Sequence, residues 1–265
     1  MLRYLKIWRI HVRAAFMQRM AYRFNFFLIA VAVIIHAAIT VIFFKVLFGY
    51  VNNIAGWNYN ESMLIVGSFL LVDGLIWTTC AQLTGIPKHI KLGTLDGLIV
   101  KPISTTQFLV SVFRADPEDW GRVATALFLL TNSAIALNYS LADIFSRLPF
   151  YIITIVCASV ITYSIVAFAR CLSFWFTEAG GTWYICENII RSAGYPTDIY
   201  SHVLVRLLFS TVIPLAFMAT IPAKIFIHGF DFWLISSSIA LAAVFFYASR
   251  RFWKFALRHY SSASS

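Results

Sequence analysis

The sequence predicts an all-α polytopic membrane protein with six transmembrane helices. Of its 265 residues, 60% are apolar and only 12% are charged, and the apolar residues gather in six long runs. Soluble domains carry roughly 25% charged residues, so this chain has too few charges to build a water-exposed surface. We therefore expect lipid to cover most of it, and residues 1–265 to form a single transmembrane domain.

The six runs have lengths that suit membrane-spanning helices. A helix needs roughly 20 apolar residues to cross a hydrocarbon core about 30 Å thick, and all runs except the third reach that length. The third must begin near Trp120, which places Arg122 at the interface with its charge extended towards water. Helices are expected because lipid leaves every backbone group to be paired within the chain. The runs are approximately Phe24–Phe48, Ser62–Leu83, Ala124–Leu137, Pro149–Phe174, Val203–Ile227 and Phe230–Ala248.

Positive charges fall in alternate gaps between these runs. Of the 21 Lys and Arg residues, all but Lys45, Arg147 and Lys224 lie in the N-terminal segment, after the second and fourth runs, or at the C-terminus. Cytosolic loops carry the excess of Lys and Arg, so we expect both termini in the cytosol and the chain in the cytoplasmic (inner) membrane. The net charge of +10 reflects this bias. A nucleic-acid partner is not expected, because no basic face is separate from the membrane flanks.

The first 23 residues are predicted to form an amphipathic helix that lies on the cytosolic leaflet. Trp8 and Phe16 fall towards one side of this helix, and a solvated basic tail is the alternative. The cations that share the other side are Arg3, Lys6, Arg9 and Arg13.

Catalytic motifs are not found in the sequence. It has no phosphate-binding GxxxxGK[ST] loop, no HExxH and no GxSxG, so no catalytic residue and no metal ligand is proposed. Apolar packing is the expected role of the cysteines, whose spacing fits no metal site. They are Cys80, Cys157, Cys171 and Cys186.

Three polar residues inside the runs are candidates for a transport pathway. His36 is thirteenth and Asp73 is twelfth in its run, so both are expected near the membrane midplane, where they could meet. Asn132 is a further candidate. An ionisable residue at this depth is costly and is a functional candidate by default. The alternative is a hydrogen bond between His36 and Asp73 that only holds two helices together.

The gap after the second run, residues 84–118, contains an amphipathic stretch. Gly93 and Gly97 flank Leu95, and Leu98 and Ile99 follow, so a short helix is expected before Pro102. Such a helix offers an apolar face to a cytosolic partner, or lies on lipid; periodicity does not separate the two.

The gap after the fourth run, residues 177–202, is predicted as a second cytosolic segment. It contains an amphipathic stretch, Trp183–Arg191, and then a turn around Gly194 and Pro196. In the fifth run, Pro214 and Pro222 are expected to kink the helix or split off a re-entrant piece.

The stretch Ile90–Pro102, with the sequence IKLGTLDGLIVKP, resembles the G-x-L-D-x-L-L-x-(K/R)-P segment of ABC type-2 (ABC-2) exporter permeases. Ile99 and Val100 stand where Leu is more usual. The later segments Gly194–Tyr200, Val212–Phe217 and Ile221–Ala223 resemble one branch of that family, in which permeases of about 260 residues with six helices work with a separate ATPase. The resemblance covers nearly the whole chain.

The resemblance implies an ABC type-2 exporter permease architecture. Two permeases, identical or related, would pair in the membrane and contact ATP-binding subunits, which would bind ATP and Mg²⁺; this chain would bind no cofactor. The N-terminal helix would be the connector helix, and a coupling helix would dock in the ATPase. The coupling residues would be Lys91, Leu92, Gly93, Leu95, Asp96, Leu98 and Ile99.

Other classes of membrane protein make different demands on the sequence. An ion-coupled secondary transporter or channel would need ion-coordinating groups at mid-depth and often internal repeats, and here only Asp73 and the Pro-containing fifth run point that way. A membrane-embedded enzyme would need a polar cluster, which only His36 and Asp73 could begin. A structural membrane subunit would show no stimulation of its ATPase by substrate.

Overall fold

A computed structural model shows an all-α chain, which confirms the predicted class. The described part of the chain forms helices and no β-sheet, with one isolated bridge between Ile54 and Trp57. The structure describes residues 6–10, 12–14, 17, 23–101, 107, 120–176, 180–200 and 202–260. Most of the 84–118 gap beyond residue 101, and part of the N-terminal segment, therefore lie outside the described residues.

The helices alternate with short turns along the chain. Single turns of 3₁₀-helix occur at Ala81–Gly85, Leu172–Phe174, Ser192–Gly194 and Thr197–Ile199, and π-helical turns at Leu208–Val212 and Ala216–Thr220. The α-helices are α1 (Arg23–Tyr50), α2 (Tyr59–Cys80), α3 (Ile86–Lys91), α4 (Asp96–Ile99), α5 (Trp120–Ala136), α6 (Leu141–Cys171), α7 (Gly180–Arg191), α8 (Val203–Leu207), α9 (Ile221–His228) and α10 (Phe232–Arg258).

Four of these helices, α1, α2, α6 and α10, are long and apolar enough to cross a membrane. A pair bent by 68°, Val203–Val212 with Ala216–His228, makes a fifth if it counts as one span. The third predicted run lies in α5, which has 17 described residues, Trp120–Ala136. By length and composition, the described residues thus contain four or five candidate spans.

The fourth and sixth runs extend further than their apolar residues indicate. Helix α6 begins at Leu141 instead of Pro149, because Ser140 and Asp143 form a capping box in which each side chain accepts from the other's backbone N–H. Helix α10 begins after Asp231, which accepts hydrogen bonds from the N–H groups of Trp233 and Leu234, and it continues ten residues past Ala248. Capping residues and polar helical turns are not apolar, so the lengths of the apolar runs underestimate the lengths of both helices.

The break in the fifth run occurs where Pro214 predicts it. Ile213 has an extended backbone, with φ −120° and ψ 82°, because the residue before a proline is excluded from the helical region. The π-helical turn Ala216–Thr220 lies just ahead of Pro222, whose missing N–H removes a regular helical hydrogen bond. Pro214 therefore lies at the 68° bend between the halves of this run, and Pro222 lies inside the second half.

Helix α2 lies at the centre of the bundle and packs closely against α5. A Cβ atom at Gly67 would stand 3.0 Å from Leu130, and one at Gly74 would stand 2.8 Å from Val123. Small residues at these positions let the two helix backbones approach, which is how helices associate in lipid. Helix α10 packs on α6 along most of its length, and α9 packs on α6 near its start.

Residues 180–200 run along α2 from one end to the other. Near the Cys80 end of α2, the rings of Trp183 and Trp77 are 6.0 Å apart. Near its Tyr59 end, the indole N–H of Trp57 donates to Asp198 at 3.0 Å. The prediction placed this segment on one side of the membrane, whereas its two ends lie at opposite ends of a helix long enough to cross.

Candidate functional site

A cavity of about 500 Å³ lies among α1, α2, α5, α6 and α7. Aliphatic side chains such as Val33, Leu70 and Val166 form part of its wall. It also gathers titratable and tryptophan side chains from four of these helices: His36, Asp73, Trp77, Arg122, Trp183, Glu187 and Arg191. A mostly apolar cavity with a few converging polar groups is the usual form of a small-molecule site.

Asp73 is held by two partners, and neither is His36. Its Oδ2 atom forms an ion pair with Arg122 Nη1 at 2.6 Å, and its Oδ1 atom accepts from Trp77 Nε1 at 2.8 Å. Asp73 comes seven residues before the end of α2, about 10 Å from that end. Charges in an apolar environment are costly unless they are paired, so this bridge between α2 and α5 neutralises both residues.

A second ion pair lies in the wall of the same cavity. Within α7, Arg191 Nη2 is 2.7 Å from Glu187 Oε1, one helical turn away. On the same helix, Trp183 packs edge to face with Trp77, and the guanidinium of Arg170, outside the cavity wall, is 3.8 Å from the centre of the Trp183 ring. The cavity wall thus holds two ion pairs and two indole rings, an arrangement suited to an amphipathic ligand.

The predicted pathway residues are only partly brought together. His36 is exposed on α1 and lines the same cavity as Asp73, so the two share a site without forming the expected hydrogen bond. Asn132 donates to the carbonyl oxygen of Phe128 at 2.8 Å and is exposed on α5, ten residues along from Arg122. Asn132 is not among the residues described in the cavity wall, because it lies one bilayer leaflet away along that helix.

The second candidate site is the loop after α2, in which α3 and α4 form a compact hairpin. Gly93 has φ +65°, a left-handed conformation that side chains with a Cβ rarely adopt, and it reverses the chain between the helices. The turn is closed by a hydrogen bond of 2.9 Å between His89 Nδ1 and Thr94 Oγ1, and by one from Leu95 N to the carbonyl oxygen of His89. A short helix is present before Pro102 as α4, one turn long, but Gly97 lies inside it and does not bound it.

The seven predicted coupling residues do not share one face. Leu95 and Leu98 are buried in the core of the chain, in a cluster that includes Ile161 and Trp253. By contrast, Lys91 and Ile99 are exposed and Leu92 is 60% exposed. In the isolated chain, Leu95 and Leu98 therefore attach the loop to the bundle, whereas Lys91, Leu92 and Ile99 are open to a partner.

The outward face of the hairpin is its exposed rim, which we define as Lys91, Leu92, Ile99 and Val100. Val100 is 80% exposed, the largest fraction among the three apolar residues of the rim. The predicted coupling set did not include Val100. The feature of the sequence that separates exposed from buried leucines is Gly93. Leu92 and Leu95 are only three residues apart, but they lie on either side of this glycine, which turns the chain.

Asp96 ties this hairpin to the end of α10. The hydroxyl group of Tyr260 is buried next to the Asp96 carboxylate, and this burial, with the neighbouring negative charge, raises the pKa of Tyr260 above its usual value. Tyr260 also packs edge-on against Phe174, which follows α6. The hairpin is therefore joined by contacts to the ends of both α6 and α10.

Sequence reasoning missed the role of Arg122. We expected its charge to extend towards water, but it turns across to α2 and pairs with Asp73. The sequence did contain a signal for this pair, because Asp73 and Arg122 belong to two adjacent apolar runs. An ion pair between them is less costly in the membrane than two separate charges. Among the described residues, no group of three or more His, Cys, Asp or Glu side chains could hold a metal ion, and the four cysteines are free.

In the N-terminal segment, residues 6–10, 12–14 and 17 are helical, while the remainder of residues 1–22 lies outside the described chain. Arg9 and Arg13 are exposed, whereas Trp8 and Val12 are half-buried. Ile10 and Met17 are exposed as well, so the interfacial amphipathic helix stays a prediction.

Comparison with known proteins yields one match. A family described as "ABC-2 family transporter protein" matches residues 33–264, which include every helix from the middle of α1 to the end of α10. No curated protein and no solved structure matches the chain.

Proposed function

Because this chain belongs to the ABC-2 family of transporter proteins, we propose that it is the permease subunit of an ATP-driven exporter. It pairs with a second permease chain, and cytosolic ATP-binding subunits hydrolyse ATP with Mg²⁺ to drive it. The observation that carries this proposal is the family match over residues 33–264, nearly the whole chain. The chain itself has no catalytic site in this proposal and acts as the membrane component.

The exposed rim of the α3–α4 hairpin is the proposed contact with the ATP-binding subunit. It presents apolar side chains, Leu92, Ile99 and Val100, next to the cation of Lys91. Apolar groups that meet a partner's groove, surrounded by polar ones, are the usual composition of such an interface. Because Leu95, Leu98 and Asp96 attach the hairpin to α6 and α10, a shift of the hairpin carries those helices with it.

We also propose a revised membrane topology. In it, residues 180–200 form the fifth crossing, and the bent pair between residues 203 and 228 returns within the outer half without crossing. The contacts of Trp183 with Trp77 and of Asp198 with Trp57, at opposite ends of α2, support this assignment. So does the ion pair of 2.9 Å between Asp198 and Lys224 of α9. The topology keeps six crossings and both termini in the cytosol.

Labelling of single cysteines tests this topology. In a variant without the four native cysteines, we expect His202→Cys to react with a membrane-impermeant maleimide in intact cells, because residue 202 lies on the outer side in the revised topology. Leu92→Cys, in the exposed rim, is the matched control and is expected to react only after the membrane is opened. A His202→Cys variant that also reacts only in opened cells would restore residues 177–202 to the cytosol and contradict the revision.

The cavity around Asp73 is the proposed place where the transported molecule first contacts this chain. It lies among α1, α2 and α7 and contains paired charges and two indole rings, which suit a molecule with apolar and polar parts. The ion-coupled transporter remains the alternative, because Asp73 is a carboxylate inside a membrane-crossing helix.

Co-purification is the direct test of the exporter proposal. We expect the tagged chain, extracted in mild detergent, to bring down an ATP-binding-cassette subunit in stoichiometric amount, identified by mass spectrometry. A second permease of different sequence in the complex would show a heterodimer. If no other permease is present and the complex contains two copies of this chain, the permease is a homodimer. If the folded chain purifies alone under conditions that preserve other membrane complexes, the exporter proposal fails and ion-coupled transport through Asp73 takes its place.

A further inference from the structure

The last two turns of α10 extend beyond the apolar part of a bilayer. The helix has 27 residues, which at about 1.5 Å each gives a length of about 40 Å. A hydrocarbon core about 30 Å thick takes up roughly 20 of them, so a helix that enters at Phe232 leaves it near Arg251. The residues from Phe252 to Arg258 then lie at the level of the lipid headgroups.

Three cations share the outward side of these turns. Arg251, Lys254 and Arg258 are spaced by three and four residues, so they lie on one helical face, and all three are exposed. The opposite face, with Trp253 and Ala256, is buried against the bundle. The sequence has no Asp or Glu between residues 232 and 260, so α10 offers these cations no acidic partner of its own.

An exposed aromatic cluster lies beside the cations. The Trp175 ring, which follows α6, has its centre 5.8 Å from that of Phe255 and 5.5 Å from that of His259. Trp175 is 39% exposed and Phe255 is 49% exposed. Tryptophan and tyrosine gather at membrane–water interfaces because their rings have apolar and polar parts. Arg251 adds to the pattern, with its guanidinium 5.8 Å from the centre of the Tyr247 ring.

We propose that this basic–aromatic face, defined as Arg251, Lys254, Arg258, Trp175 and Phe255, binds the headgroup of an anionic phospholipid. The guanidinium groups of Arg251 and Arg258 are suited to paired hydrogen bonds with a phosphate, and Lys254 adds a positive point charge. The rings of Trp175 and Phe255 contact the upper part of the acyl chains. Charge and depth favour a lipid over a protein partner, since the face begins where the hydrocarbon core ends.

Native mass spectrometry of the full chain tests the proposal. Delipidated protein is titrated with phosphatidylglycerol or with phosphatidylcholine that carries the same acyl chains. A cation near an anionic membrane surface strengthens binding about fivefold, so we expect a preference for phosphatidylglycerol on the order of one hundredfold. The triple variant Arg251→Gln, Lys254→Gln, Arg258→Gln is expected to bind the two lipids within about fivefold of each other.

Matched variants separate this face from total charge and from folding. The triple change of Lys88, Lys91 and Lys101 to Gln removes the same charge and is expected to keep the preference. Arg251→Lys with Arg258→Lys is expected to keep most of it. If the Gln triple variant does not fold, each single Gln variant is expected to lose about fivefold, and 0.5 M salt to reduce the wild-type preference by on the order of tenfold.

Three results would overturn the proposal. The first is a wild-type protein without a preference, and the second is a folded Gln triple variant that keeps it. The third is loss of phosphatidylglycerol from the wild-type chain when the ATP-binding subunit is added, which would make this face a subunit contact. The lipid preference is measured on the permease alone. Absence of the preference therefore leaves the exporter proposal untouched, and failure of the exporter proposal leaves the lipid proposal untouched.

Discussion

Leu92→Asp is expected to release the ATP-binding subunit from a permease that remains folded. Leu92 is 60% exposed on the rim of the hairpin, so an aspartate there meets water in the free chain and costs little stability. In the complex it would place a charge in an apolar contact, and we expect retention of the ATPase in a pulldown to fall on the order of tenfold or more. The melting temperature of the isolated permease in detergent is expected to stay the same.

Leu95→Asp, only three residues away, is expected to act in the opposite way. Leu95 has no exposed surface, and its side chain packs in the core beneath the hairpin. Removal of a buried leucine costs about 2–5 kcal/mol, and a buried unpaired carboxylate adds to that cost. We expect a large drop in melting temperature, or loss of the protein from the membrane fraction.

The pair of variants distinguishes docking from attachment. If Leu92→Asp keeps the ATPase fully bound, the exposed rim is not the docking surface. If Leu95→Asp instead releases the ATPase without any change in melting, the hairpin must leave the bundle when it docks, and the division into buried and exposed residues does not hold in the complex.

Asp73→Asn is expected to destabilise the permease through Arg122. The change leaves Arg122 unpaired between α2 and α5, and loss of one member of a largely buried ion pair costs about 3 kcal/mol. The double variant Asp73→Asn with Arg122→Gln removes both charges and is expected to recover most of the melting temperature. The four-member mutant cycle gives the coupling energy between the two residues.

The Glu187–Arg191 pair provides the control for this cycle. These residues lie in the same cavity but are more exposed, at 26% and 59% of their side chains, and belong to one helix. An exposed pair of this spacing contributes about 0.3–0.5 kcal/mol, so Glu187→Gln is expected to leave the melting temperature nearly unchanged. Equal effects at Asp73 and Glu187 would contradict the assignment of a structural ion pair to Asp73.

ATP hydrolysis by the reconstituted complex then defines what Asp73 does in transport. If the double variant melts like the wild type and hydrolyses ATP like the wild type in the presence of substrate-containing membrane extract, Asp73 only holds α2 to α5. If the double variant recovers its melting temperature but its ATP hydrolysis is not stimulated by the extract, the Asp73 carboxylate also contacts the transported molecule. We expect the second result, because Asp73 and Arg122 both line the cavity.

The sequence predicted the helices well where hydropathy alone defines them. Helix α1 covers the whole of its apolar run and ends two residues after it, because lipid-facing residues must be apolar throughout. Helix α6 begins eight residues early for a different reason, the capping box of Ser140 and Asp143, which consists of polar residues. Boundaries set by hydrogen bonds therefore escape an analysis of apolar runs.

Sidedness and partner choice depend on contacts that periodicity does not record. Residues 177–202 carry the Gly, Pro and charge pattern of a loop, yet Trp57 and Lys224 hold Asp198 at the far end of α2. His36 and Asp73 occupy similar positions in their runs, yet Asp73 pairs with Arg122, whose short apolar run does not fix the position of its helix along the axis. A pairing between helices is decided by their relative shift along the axis, which one chain's hydropathy does not contain.

By itself, the sequence determined that this protein is helical and belongs in a membrane, because too few charges exist to cover it in water, and its loop motif indicated the family. The tertiary structure alone decided which residues meet. It turned Leu95 and Leu98 inwards and left Leu92 and Val100 outside, since Gly93 reverses the chain and only one side of the hairpin fits against α6 and α10. Composition indicates that lipid surrounds the chain, whereas the packing of the helices determines which side chains are in contact.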